Sequence, residues 1–162
     1  MRAVAERCRH DGPPMRTLIT MGAQHQGVYN LPKCGTDEGD PSSKPSAVCL
    51  GIQYLLGTSA YAPYVRDHVV QAQYFKDPYN LDGYFANNPF LPDINNELVF
   101  KNATYRSNMV ALDKFVMFRF DDDSTVVPRA SEWFGFFDGI KVVRPYRFLI
   151  PNCCQIKLVH NI

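Results

Sequence analysis

The rhythm of apolar and polar positions changes several times along the chain, and each change predicts an element. "MRAVAERC", residues 1–8, has the spacing of the end of an amphipathic helix, which Gly12-Pro13-Pro14 should stop. "MRTLITMG", residues 15–22, is a short β-branched apolar run closed by glycine and predicts a buried strand. "AQHQGVYNLPKC" then reads as a loop at the carboxyl end of that strand. Helical spacing returns over residues 47–56 and 60–75, the second with Tyr61, Tyr64, Val65, His68, Val69 and Ala72 on or near one face. Residues 76–96 turn to Asp, Pro, Asn and Gly, and "NNPFLPDINNE" reads as irregular structure. Residues 105–112 predict another helix, and "KFVMFRF", residues 114–120, a strongly buried strand.

Strands separated by helical segments predict an α/β fold with a largely parallel sheet. Ligands of such sheets bind outside the carboxyl ends of the strands. "GAQHQG" and "DDDS" both fall at that edge.

Composition narrows the function classes. At 162 residues and 46% hydrophobic, the chain can build a sizeable core as one domain or part of one. Seventeen Lys and Arg against sixteen Asp and Glu leave a formal charge of +1, which gives no basic field for nucleic acid or an anionic membrane. No apolar run reaches the roughly 18–20 residues of a transmembrane segment. The first residues are polar and lack the apolar centre of a signal peptide.

Cysteine usage points to an oxidising compartment. Cys34 and Cys49 bracket a Gly-, Pro- and Ser-rich loop with no apolar face of its own. A disulfide closing a loop of about 15 residues would stabilise by roughly 3 kcal/mol in the chain-entropy model. Two free thiols are the alternative. "NAT" at Asn102 is a glycosylation sequon in a polar stretch and fits the same context. The odd count of five cysteines suggests that Cys8 has its partner elsewhere.

Asp121, Asp122 and Asp123 follow the most apolar strand directly. Three adjacent carboxylates repel one another, so each must be solvated, cation-bound or individually placed. Asp121 and Asp123 sharing a Ca²⁺ is one reading, but the glycine and distal glutamate of an EF-hand loop are missing. A solvated turn capping the next helix is a second. The third is an acid that orients a histidine in a nucleophile–His–acid triad, which needs a fixed position at a strand end.

"RAVAERC", "GAQHQGVYNLPKC", "VVQAQYFKDP", "FLPDINNE", "NMVALDKFVMFRFDDDSTVVP" and "SEWFGFF" occur in one colinear order. Together they resemble the palmitoyl-protein thioesterases, lysosomal or secreted α/β-hydrolases that remove long-chain acyl groups from cysteines. The resemblance covers residues 2–137. It implies an incomplete α/β-hydrolase fold, the central and C-terminal part of a mainly parallel sheet with flanking helices. It also implies S-palmitoylated proteins or other long-chain acyl thioesters as substrates, a lysosomal, vacuolar or secreted location, and no metal or organic cofactor.

Residue by residue, the resemblance makes Asp123 the triad acid, since the family's acid immediately precedes the serine of the segment matching "FDDDSTVVP". Asp121 and Asp122 then fall at variable positions, where solvation accounts for them. The family has a similar Gln-His pair in "GAQHQG", which implies that Gln24 and His25 line the acyl or thioester site. The alternative is a structural loop histidine. His68 reads as a packed or half-exposed helix residue. Val69, Val70 and Leu91 lie where the family forms its fatty-acyl groove. Trp133, Phe134, Phe136 and Phe137 read either as a core plug under the acid-bearing turn or as a wall of that groove. The family's similarly placed cysteine pair implies a Cys34–Cys49 disulfide and a Cys8 partner upstream.

The family's serine sits in a G-x-S-x-G elbow just before the segment matching "RAVAERC", and no G-x-S-x-G occurs in this chain. Its histidine lies in a Gly-Asp-His context that His160 lacks. The expectation is a partial hydrolase domain over residues 1–137, a divergent tail over 138–162 from an alternative or mis-spliced end, and no hydrolysis by the chain as given. The competing reading is a non-catalytic lipid-binding or interaction module.

Overall fold

The structure, a computed structural model, describes residues 1–9, 12–29, 60, 62–68, 70–138, 141–143 and 153–158. Its frame is a three-stranded parallel sheet of β1 (Thr17–Met21), β2 (Lys114–Phe120) and β5 (Cys153–Leu158) in the order β1-β2-β5. Thr17 pairs with Lys114 and Met21 with Phe118 on one side of β2, while Phe115 pairs with Cys153 and Phe120 with Leu158 on the other. All three carboxyl ends therefore point the same way. The third strand comes from the segment in which the sequence resemblance had ended. A short hairpin, β3 (Phe136–Asp138) with β4 (Lys141–Val143), is antiparallel.

The β2 boundaries coincide with the apolar run. β1 is shorter than residues 15–22, and it is not buried on both faces as expected. Leu18 and Thr20 are buried, whereas Ile19 and Met21 are exposed. Successive strand side chains point to opposite faces, and among the described residues only one face of β1 is covered. Its outer edge pairs with no described strand, the kind of edge that natural sheets usually cover.

The covering layer is α1 (Arg2–Arg7) packed with α5 (Ala103–Val110). Ala5, Leu18, Met109, Leu112, Phe115, Met117 and Phe134 form one core cluster. Phe115 and Met117 are almost wholly buried, so truncating Phe115 to alanine should cost about 3–5 kcal/mol. α1 ends at Arg7, ahead of Gly12-Pro13-Pro14, and Arg9 then donates to the Ala111 and Asn108 carbonyls at 2.9 and 3.2 Å. Those are carbonyls of the end of α5, which a cation there satisfies. α5 begins two residues before the predicted 105–112 because Asn102 caps it, Oδ1 accepting from the Thr104 amide at 3.0 Å.

Residues 60–100 depart most from the sequence expectation. In place of one helix over 60–75 there is α2 (Pro63–His68) and then a 3₁₀ turn, Val70–Tyr74. The stretch expected to be irregular contains α3 (Leu81–Asn87) and α4 (Leu91–Ile94). The Asn and Pro residues that suggested loops serve as helix starts instead. Asn80 Oδ1 accepts from the Gly83 amide at 3.0 Å, and Pro92 occupies the first turn of α4, where its missing N–H costs nothing. A second cluster of Ala60, Phe75, Tyr84, Leu91 and Ile94 holds these pieces together. His68 is exposed and stacks on Tyr64 at 4.4 Å. The helix expected over 47–56, Cys34, Cys49, His10 and His160 lie outside the described residues. Cys8 is an exposed free thiol.

Candidate active site

The carboxyl ends of β1 and β2 carry the two loops singled out by the sequence. The Gly22 amide donates to the Phe118 carbonyl at 3.2 Å and extends the ladder by one rung. Gly22 has φ +57, and a Cβ added there would lie 3.6 Å from Asp123 Oδ2. Asp123 therefore sits over the end of the neighbouring strand. Its Oδ1 accepts from the Thr125 amide at 2.6 Å and the Val126 amide at 3.0 Å. Val126 is buried and anchors the turn from below. This is a fixed carboxylate at a strand end, with one oxygen occupied by backbone donors.

The other two aspartates differ from each other. Asp122 is exposed, as solvation requires. Asp121 is not simply solvated: it is half-buried, and its Oδ1 takes the Arg119 guanidinium at 3.2 Å. The Arg129 guanidinium also donates to the Asp121 carbonyl. The first carboxylate of the triplet is therefore part of the scaffold of the turn. Among the described residues, no group of three or more His, Cys, Asp or Glu is arranged to hold a metal ion.

His25 is 4% exposed. Its Nε2 is 2.9 Å from Thr20 Oγ1, its ring stacks on Phe134 at 4.5 Å, and Phe115 meets it edge-on at 5.7 Å. Burial, reinforced by the nearby Arg2 guanidinium, holds its pKa well below the usual imidazole range, so the ring is neutral. Gln24 and His25 both line a cavity of about 290 Å³ whose other walls include Ile19, Met21, Tyr74, Phe90 and Ile94. Asp123 does not line it. Thus the structure brings Gln24 and His25 together at one wall and Asp123 to the next strand end, with Gly22 between them.

The loop itself is tied down from several sides. The Gln26 amide donates to Ser131 Oγ at 3.1 Å, and the Gln26 side chain donates to Glu97, which also receives Lys76 Nζ at 2.9 Å and Tyr84 OH at 2.7 Å. The aromatic run after the acid turn packs inward. Phe134 and Phe136 are buried, and Trp133 Nε1 donates to the Met117 carbonyl at 3.1 Å. The core-plug arrangement describes these residues. Phe137 is half-buried and meets Tyr29 edge-on at 6.0 Å.

Sequence reasoning missed three buried charged residues here, Arg2, Glu6 and Glu132. Arg2 pairs with Glu6 at 3.6 Å one helical turn away and lies over the Phe134 ring at 4.9 Å. Glu132 is fully buried, and its Oε2 accepts from the Phe120 amide at 3.3 Å. Among the described residues, Glu132 Oε1 is buried with no hydrogen-bond partner. Burial pushes its pKa up to about 7, and the Asp123 charge adds to that. Nothing in "SEW" separates a buried glutamate from a surface one. Asn102, the sequon residue, is exposed at the α5 cap.

Among known proteins, the family described as palmitoyl protein thioesterase matches residues 1–147. Palmitoyl-protein thioesterase 1 of Caenorhabditis elegans is 43% identical over 140 residues, 86% of this chain and 43% of the relative. Palmitoyl-protein thioesterase 3 of Dictyostelium discoideum is 34% identical over 113 residues, 69% of this chain and 39% of the relative. A Drosophila melanogaster relative named lysosomal thioesterase PPT2 homolog is 37% identical over 83 residues, 51% of this chain and 29% of the relative. The chain spans less than half the length of these relatives. Its parallel sheet with flanking helices is the corresponding part of an α/β-hydrolase fold, and the chain belongs to the palmitoyl-protein thioesterase family.

Proposed function

We propose that this chain is the acid-bearing part of a thioester hydrolase that removes long-chain acyl groups, palmitate among them, from S-acylated cysteines of proteins. The observation that carries this reading is Asp123. It stands at the carboxyl end of β2 with Oδ1 held by two backbone amides and Oδ2 on the side of the β1 end. A carboxylate fixed in that way can accept the ring N–H of a histidine, hold one tautomer and stabilise the imidazolium that forms when a serine attacks the thioester carbonyl. The leaving thiolate departs more readily than an amine would, so the chain's contribution is orientation and charge rather than proton delivery to the leaving group.

Gln24 and His25 support a positioning role at the adjoining cavity. His25 is neutral and packed, so it shapes the wall through its ring, while Gln24 offers a half-exposed amide. The apolar walls, Ile19, Met21, Phe90 and Ile94, suit an acyl chain better than a polar substrate. The names of relatives called lysosomal thioesterases, together with the exposed sequon at Asn102, favour a lysosomal setting. With no G-x-S-x-G in its sequence, the 162-residue chain alone should not turn over a palmitoyl thioester.

The test compares three substitutions in a full-length enzyme containing this segment. Asp123→Asn should keep the fold and lose on the order of 10⁴-fold in activity, or roughly 5 kcal/mol of transition-state stabilisation. Asp122→Asn should be nearly silent. Asp121→Asn should cost at most about 1 kcal/mol of stability through the weakened Arg119 pair, with little change in rate. Equal losses at all three positions would point to a shared electrostatic site and sink the assignment of Asp123.

A further inference from the structure

The acid-bearing turn rests on a second carboxyl that the triad chemistry does not use. Glu132 lies on the 3₁₀ turn Arg129–Trp133, which packs against β2. Its Oε2 takes the amide of Phe120, the last residue of β2, and its Oε1 is enclosed with no donor among the described residues. The Arg119 guanidinium is committed to Asp121 and lies 4.5 Å from the Trp133 ring centroid, with its Nε also buried and without a partner among the described residues. The charged groups that act on Glu132 are Asp123 from the acid turn, Arg119 from β2 and Arg129 from its own turn. Ser131, next to Glu132 on the same turn, holds the Gln26 amide of the loop after β1.

We propose that Glu132 is a positioning residue for Asp123, a buried carboxyl that stays protonated beneath the acid-bearing turn in an acidic medium and so adds no charge to that of the turn's aspartates. The inference deepens the reading of Asp123 as the triad acid and rests on it for its catalytic consequence. Asp123 Oδ1 accepts from two backbone amides, whereas Glu132 accepts one and leaves an oxygen without a donor. A buried carboxylate oxygen with no donor is costly, and a neutral, protonated carboxyl there costs less than the ion. Glu132 therefore holds a proton in mildly acid solution, consistent with its pKa of about 7. Above that pH a further anion forms at the Phe120 amide, beneath the acid-bearing turn, and pushes against it.

Trp133 is the single tryptophan of the chain, and it is adjacent to Glu132 with Arg119 over its indole. Its fluorescence in the 162-residue chain should therefore show a transition centred near pH 7. That transition should be absent in Glu132→Gln, persist in Glu6→Gln, and move to lower pH in Asp123→Asn, because removing the neighbouring charge eases ionisation of Glu132. A parallel measurement does not depend on how the glutamine variant folds. In [¹³C]glutamate-labelled Glu6→Gln, one carboxyl resonance should titrate near pH 7 and shift down when Asp123→Asn is added. No transition near pH 7 in either readout, or a midpoint that Asp123→Asn leaves in place, overturns the proposal. Failure of the triad assignment itself would look different: full activity of Asp123→Asn in the full-length enzyme, with the Trp133 titration intact.

Discussion

The imidazole of His25 lies parallel to the ring of Phe134, centroids 4.5 Å apart and planes within 9°. That contact joins the loop after β1 to the segment after the acid turn, and the Thr20 hydroxyl bound to Nε2 locks the ring from the strand side. His25→Ala should empty a packed site and strand the Thr20 hydroxyl, costing about 2–4 kcal/mol. Urea unfolding of the chain measures it. A cost below about 1 kcal/mol would mean that the ring is not part of the core.

Gly27 holds the same loop by backbone geometry. It has φ +91, and a Cβ there would come within 2.6 Å of both the Tyr74 carbonyl oxygen and the Leu91 side chain. The Val28 amide donates to that Tyr74 carbonyl at 2.8 Å, so the neighbour cannot simply move aside. Gly27→Ala should destabilise by more than about 2 kcal/mol, while Gly12→Ala, with nothing within 4 Å, should stay within about 0.5 kcal/mol of the parent. Thermal or urea midpoints of the two variants give the comparison.

Two buried glutamates set the pH dependence of stability. Burial raises both Glu6 and Glu132 to about 7 from the ordinary 4.5. Between those values the folded chain holds protons that the unfolded chain releases, so unfolding free energy falls as pH rises from about 4.5 to 7 and then levels. Each group contributes on the order of 1–3 kcal/mol. Neutral His25 acts in the opposite sense below 6.5, where only the unfolded chain gains its proton. One histidine offsets part of two glutamates, so the chain should be more stable at pH 5 than at pH 8. Glu132→Gln should narrow that difference in urea titrations at the two pH values, and a difference of the opposite sign would refute the account.

Elements with one dominant local signal were legible in the sequence. Lys114–Phe120 is an apolar run bounded by aspartates on both sides, and the strand occupies that run. Alternating strands and helical segments implied the parallel pairing, because parallel neighbours need long crossovers. The resemblance named Asp123, but what fixes it, the Thr125 and Val126 amides, belongs to the turn in space.

The helices of residues 80–94 were illegible because Asn80 and Pro92 mark loops and helix starts alike, and these helices are too short to show a period. Periodicity is a local property, whereas burial depends on which elements converge. Asp121 and Asp122 are adjacent and chemically identical, yet one pairs with Arg119 and the other faces water. Glu132 stands in a polar dipeptide, yet the packing of its turn against β2 encloses it completely. The sequence alone determined the strand that leads to the acid, the α/β class with its parallel pairing, and the family. Only the tertiary structure decided which carboxyls lose their water, because desolvation is imposed by neighbours far apart in the chain.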